Sequence, residues 1–263
     1  MKLALAAVAC WFGMAAMVAA QGAKPHAALR VQQDKYGAIV RGDASEKQLA
    51  LIFTGDKYGE GAGAILDALN EYGVKAGFFI TGNFLRSPEL KPVIQRMVDE
   101  GHYVGPHSND HLLYCDWEDR DRRLVTRGEF TVDLRKNLGE LRAIGAPPPE
   151  VAPLFVAPYE WYNADQARWC RELGVTLINF TPGSGSNRDC ARENDPKFAS
   201  SQNILDGILE YERKEPNGLN GFLLLLHLGS GRKDPFHPRV GELCDELTKR
   251  GYGFVRVDVL VEQ

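Results

Sequence analysis

Two histidines four positions apart, His107 and His111, stand in the stretch Gly101-His102-Tyr103-Val104-Gly105-Pro106-His107-Ser108-Asn109-Asp110-His111. On a helical turn that spacing puts both imidazoles on one face. Two neutral imidazoles on one face suit a zinc-type ion, and one carboxylate beside them would leave a fourth position open for water. A surface turn with two incidental histidines has the same spelling, so the surrounding elements must decide.

Those elements alternate. Apolar strands are expected over 49–53, 76–80, 103–105, 154–157, 175–180, 222–226 and 253–257. Helices are expected between them, over 63–72, 88–100, 126–144, 164–173, 200–214 and 238–250. Pro88 opens one helix and Gly101 follows its end, the proline-first, glycine-last order. Thr126-x-x-Glu129 is a capping box. The segment 112–127 is charged and aromatic and reads as a loop. About seven strands alternating with helices predict an α/β fold with a parallel sheet, open or closed into a barrel. The polar residues then fall at strand ends: Asp56 after the first, His107 and His111 after the third, Tyr159 after the fourth, Thr181 after the fifth, His227 ending the sixth. In barrels the loops after the strands' C-terminal ends share one face, and that face carries the active site.

The rest of the composition bounds the answer. A chain of 263 residues with 44% apolar and 25% charged residues reads as one domain with an appendage. A formal net charge of −4 and the lack of a basic stripe give no footprint for nucleic acid. Lys2, the apolar run to Ala20 and the small residues Val18-Ala19-Ala20 read as a signal peptide over 1–20. This predicts a secreted or periplasmic protein without stable membrane insertion after cleavage, an uncleaved anchor being the alternative. Residues 21–47 read as an N-terminal lead-in segment, and 48–263 as the main domain. The mature chain keeps Cys115, Cys170, Cys190 and Cys244, enough for two disulfides in an exported protein and without metal-site spacing.

Read in order, Ile52-Phe53-Thr54-Gly55-Asp56, Gly73-Val74-Lys75-Ala76-Gly77-Phe78-Phe79, His107-Ser108-x-x-His111, Ala157-Pro158-Tyr159 and Leu223 to His227 resemble the NodB-type polysaccharide deacetylases, over about 48–260. The resemblance implies a deformed (β/α) barrel, a divalent metal held by Asp-His-His, and removal of N- or O-acetyl groups from glycans. It makes His107 and His111 metal ligands and His227 the general acid, although a histidine after four leucines also fits a core position. It places Pro158 and Tyr159 in the groove wall, where the tyrosine N–H helps hold the oxyanion. Glu160, Trp161 and Tyr162 beside them suit a sugar, or ordinary packing.

The departures from the family pattern are coherent. The family's first motif reads Thr-Phe-Asp-Asp-Gly, in which the first Asp is the base and the second a metal ligand. Thr54 and Gly55 stand in those places here, with Asp56 one residue late. The family's arginine that pairs with the base falls at Val156. Without the base, a buried arginine would be an unpaired charge costing several kcal/mol. Asp56 is then the expected third ligand, its alternative being a solvated loop aspartate. Glu160 and Asp110 are candidate replacement bases, or plain surface acids. The region of the fourth motif, Ile178-Asn179-Phe180-Thr181, has no acid to support His227. The expected function is a secreted metal-dependent hydrolase of an acetylated polysaccharide, with zinc, cobalt or nickel as the ion. The alternatives are a catalytically impaired glycan-binding protein on the same fold, and a hydrolase of a different acyl or amide group.

Overall fold

The computed structural model describes residues 31–147 and 152–262, so the signal-peptide reading of 1–20 lies outside them. Nine strands form one sheet: β1 (Gln32–Gln33), β2 (Ile39–Arg41), β3 (Gln48–Gly55), β4 (Gly77–Ile80), β5 (Tyr103–Pro106), β6 (Leu154–Val156), β7 (Thr176–Ile178), β8 (Phe222–His227) and β9 (Gly253–Phe254). Seven of them run in the order β5-β4-β3-β8-β2-β7-β6, with β1 on β2 and β9 on β3. All pairings are parallel except β1–β2 and β2–β8. The two ends of this path approach each other, where Leu154 N–H donates to the Tyr103 hydroxyl at 2.7 Å. The result is the nearly closed, deformed (β/α) barrel expected. The lead-in segment supplies β2, which fills the gap between β8 and β7.

Strand periodicity sorts the core into two layers. Leu49, Leu51 and Phe53 of β3 and Phe222, Leu224 and Leu226 of β8 face the outer helices. Ala50, Ile52, Leu223 and Leu225 fill the barrel interior. The same alternation carries Thr54 and His227, paired in register, onto the inner face at the C-terminal rim. The helices are α1 (Ala62–Glu71), α2 (Gly82–Arg86), α3 (Lys91–Asp99), α4 (Arg127–Arg142), α5 (Ala164–Glu172), α6 (Ser201–Lys214), α7 (Val240–Lys249) and α8 (Val257–Val261). Thr126 does cap α4, its hydroxyl accepting from Glu129 N–H, which contributes about 1 kcal/mol.

Three expectations are corrected. The last strand stops at Phe254, and Val257, Leu260 and Val261 turn into α8, whose apolar face packs on the interior layer. A continued strand would leave that interior uncovered. Second, the stretch from His107 to His111 is not a helical turn: Ser108 and His111 have φ of 69° and 54°. Third, Cys115, Cys170, Cys190 and Cys244 are all free thiols, the first, second and fourth buried on separate elements. Among the described residues no helix is long and apolar enough to cross a membrane.

Candidate active site

The rim forms a cavity of about 430 Å³ lined by Thr54, Asp56, His107, His111, Tyr159, Glu160 and His227, among others. Four strand ends therefore deliver their polar residues to one place, as the barrel argument requires.

The His107 loop is built from below. Asp133 of α4 accepts from the N–H groups of Asn109 and Asp110, both at 2.9 Å, and Asn137 accepts from His107 N–H. Ser108 Oγ accepts from His111 N–H at 2.9 Å. These bonds replace the helical ladder that the loop lacks. They bring the two rings to a centroid separation of 5.1 Å. His107 Nδ1 donates to the Val156 carbonyl at 2.8 Å, which fixes the tautomer and leaves Nε2 as a lone pair. Val156 is where the family has its arginine, so that position's backbone serves the histidine. Burial, and then the neighbouring His111, hold the His107 imidazole well below its usual pKa. Burial likewise lowers His111, with Asp56 opposing. Both rings are neutral donors at neutral pH.

Asp56 follows β3 on the same cavity. Its Oδ1 accepts from Thr81 Oγ1 and Asn83 Nδ2, each at 3.0 Å, which leaves Oδ2 without a hydrogen bond. A side chain at Gly55 would require Leu228 and Phe84 to shift, since a Cβ there would lie 2.8 Å from Leu228 Cδ1 and 2.9 Å from Phe84 Cε2. The donor types thus fit a divalent ion, two imidazoles with a carboxylate oxygen facing the same space. No group of three His, Cys, Asp or Glu side chains already drawn together as a metal site is found among the described residues. Asp110 lies apart from the cavity, 3.7 Å from Arg86 in a surface ion pair.

His227 has an acid partner that the sequence did not reveal. Asp189, in the 3₁₀ turn Ser186–Cys190, places Oδ1 2.6 Å from His227 Nδ1 and accepts from His227 N–H through Oδ2 at 2.8 Å. Burial disfavours charge on the ring, but Asp189, with a smaller contribution from Cys190, outweighs it and raises the His227 pKa well above the usual value. His227 is therefore an imidazolium at neutral pH. Arg232, itself buried, donates to the Asp189 and Ala199 carbonyls, and Arg192 donates to Ser230, so the loop carrying Asp189 is tied to the barrel. In the sequence Asp189 stands just past a glycine-serine-asparagine run, with no periodicity or motif to mark it.

Pro158, Tyr159 and Glu160 form a 3₁₀ turn after β6. Tyr159 packs against His111 with the rings tilted by 57° and centroids 4.3 Å apart, and its N–H finds no partner among the described residues. Trp161 is packed rather than open: Arg120 lies 3.8 Å over its ring and its Nε1 donates to Asp116. Trp117, 54% exposed and 5.5 Å from both Tyr159 and Trp161, is the most exposed aromatic on the cavity, ahead of Tyr159 and Tyr58. Sequence reasoning missed it because it lies in the irregular loop 112–126. A second cavity of about 640 Å³, lined by Trp117, Arg120, Glu160 and Asn179 among others, adjoins the first.

A family model described as "Polysaccharide deacetylase" matches residues 41–178. The peptidoglycan-N-acetylglucosamine deacetylase PgdA of Listeria monocytogenes is 37% identical over 220 residues, which are 82% of this chain and 39% of that protein. A chitooligosaccharide deacetylase of Rhizobium leguminosarum bv. trifolii is 27% identical, over 71% of this chain and 74% of that one. The structure of Bacillus subtilis PdaA, a family 4 carbohydrate esterase, superposes with a TM-score of 0.68 at 23% identity, covering 86% of this chain and 85% of that chain. The match to the sequences of PdaA and PgdA spans 29% and 39% of their lengths, well under half of each. The order of motifs, the barrel and the family model agree, and the chain belongs to the polysaccharide deacetylase family.

Proposed function

We propose that the protein is a secreted, metal-dependent hydrolase that removes acetyl groups from a polysaccharide or oligosaccharide. The observation that carries this reading is the Asp189–His227 pair: a half-buried imidazole held by a carboxylate that favours its charged form, facing two neutral imidazoles across one cavity. Pure binding needs no proton donor there. The relatives named as deacetylases of peptidoglycan and chitooligosaccharide support the substrate class.

His107 and His111 would hold the divalent ion, zinc before cobalt or nickel, with Asp56 Oδ2 as the third donor, and the ion when bound would supply Lewis acidity and acidify its water. The chain's own residues do the remaining work. Tyr159 N–H donates to the oxygen on which negative charge develops. His227 gives its proton to the departing amine or alcohol, and Asp189 keeps that proton available. Pro158 and Tyr159 wall the acetyl side, and Trp117 offers a face for a sugar ring.

A second reading, a glycan-binding protein without turnover, draws support from Thr54 and Gly55 in place of the two family aspartates. One assay separates them. Chelator-stripped mature protein is incubated with N-acetylated chitooligosaccharide and peptidoglycan fragments, with and without Zn, Co or Ni, and acetate is measured. Release that depends on the ion, and that falls about 10²–10⁴-fold in His227→Ala, is expected. Retained glycan binding with no acetate under any ion favours the second reading.

A further inference from the structure

The deacetylase reading leaves one proton without a destination. Thr54 stands where the family has its base, and its hydroxyl, 2% exposed on the cavity wall, has no hydrogen-bond partner. A hydroxyl cannot replace a carboxylate base. Glu160 reaches the same cavity from the end of β6. Its carboxylate makes no hydrogen bond or ion pair among the described residues, whereas Asp56, Asp189 and Asp110 are each engaged.

The backbone is bent to put it there. Tyr159 and Glu160 have φ of 59° and 53°, two successive side-chain-bearing residues in the left-handed region. Such geometry persists only where surrounding bonds impose it, and it gathers at functional sites. Here Glu160 N–H donates to Ala157 at 2.9 Å, and Asn179 Nδ2 donates to the Glu160 carbonyl at 3.2 Å. The chain thus spends conformational energy to hold an uncommitted carboxylate at the rim, where the family usually has glycine.

We propose that Glu160 is the general base of the hydrolysis, replacing the carboxylate absent at position 54. This rests on the deacetylase reading above. In the step, the O–H bond of the attacking water breaks and its proton passes to a Glu160 oxygen as the water oxygen bonds to the acetyl carbon. Collapse breaks the C–N bond, and the His227 proton goes to the amine nitrogen. Acetic acid, which keeps the second water proton until it ionises in solvent, and an amine leave; Glu160 loses its proton to solvent and His227 regains one. Burial, and less so the Asp189 charge, push the Glu160 pKa up to about 7, against the pull of His227. A base of that pKa is matched to neutral operation. The other charged groups on the two cavities it shares are Asp56 and Lys57 after β3, Lys197 and Arg192 from the loop before α6, and Asp34 and Arg120 beyond Trp117.

The test compares wild type with Glu160→Gln, Glu160→Asp and Glu160→Gly in acetate release across pH, with the metal saturating and the unfolding midpoint recorded. Glu160→Gln is expected to lose about 10²–10⁴-fold in kcat at little-changed KM, and to lose the acidic limb near pH 7. Glu160→Asp should keep part of the rate and that limb. Glu160→Gly, which relaxes the backbone, should fold and be inactive. Folded Glu160→Gln with wild-type kcat and an unchanged acidic limb overturns the base. A wild type that releases no acetate overturns the deacetylase reading itself, which keeps the two failures distinct.

Discussion

Replacing Asp189 with Asn tests the charge on His227 with almost no change in shape. The amide oxygen can replace only one of the two carboxylate oxygens, accepting from the His227 backbone N–H at the 2.8 Å position, so that the amide NH2 faces His227 Nδ1 and suits a neutral ring. What disappears is the negative charge that offsets the burial of the imidazolium. Breaking a buried ion pair by removing one partner costs roughly 3–5 kcal/mol, paid here by losing the proton from His227 instead of burying it unpaired. The pKa of the ring then falls, because burial alone lowers it. Two consequences follow. The alkaline limb of kcat moves to lower pH, and the rate at neutral pH drops on the order of 10²-fold or more, the worth of a general acid. Stability changes with a defined sign. A histidine whose folded pKa lies above its unfolded value near 6.5 stabilises fully below that value and loses the contribution as pH rises through the folded pKa. The gap between wild type and Asp189→Asn should therefore be widest below about pH 6.5 and close at alkaline pH. Acetate release against pH and urea unfolding at pH 6 and 9.5 measure both. A variant with the wild-type alkaline limb would refute the assignment of His227 as the charged acid.

Two other positions give independent expectations. His102 is buried at the N-terminal end of β5, its Nδ1 accepts from Ala76 N–H at 3.1 Å, and burial, with help from Lys75, lowers its pKa to about 4. Between about pH 6.5 and 4 the unfolded chain binds a proton that the folded one refuses, so stability should fall by up to about 3 kcal/mol over that window. Urea midpoints of wild type and His102→Gln at pH 7 and 4.5 check this; equal acid sensitivity would remove His102 as the cause. Trp117→Ala should raise KM for an oligosaccharide about tenfold, the worth of one stacking face of about 1.4 kcal/mol, without moving the unfolding midpoint. A large drop in that midpoint would show that Trp117 is a packing residue.

The sequence by itself determined the barrel, the placement of His107, His111 and His227 at its rim, and the family. These are written in local patterns. Alternation along β3 and β8 decides which side chains face inward, and helix caps such as Thr126-x-x-Glu129 mark boundaries within a few residues. The register that pairs Thr54 with His227 follows from two apolar runs of matching length. Even the loss of the family's aspartates was legible, because Thr54 and Gly55 occupy known places in an ordered motif.

Only the tertiary structure decided what surrounds those groups. Asp189 finds His227 across 38 residues, from a loop with no periodicity, held there by Arg232 and Ser230. Asp56 is anchored by Thr81 and Asn83 from the next βα connection. Position 55 has no room for a side chain unless Leu228 and Phe84 move. Glu160 changes from a surface acid to a group titrating near neutrality because two left-handed residues turn it into the cavity. The physical reason is common to all four. Strand and helix formation depends on neighbours in sequence, whereas pKa, orientation and steric room depend on burial and charge brought together by distant segments.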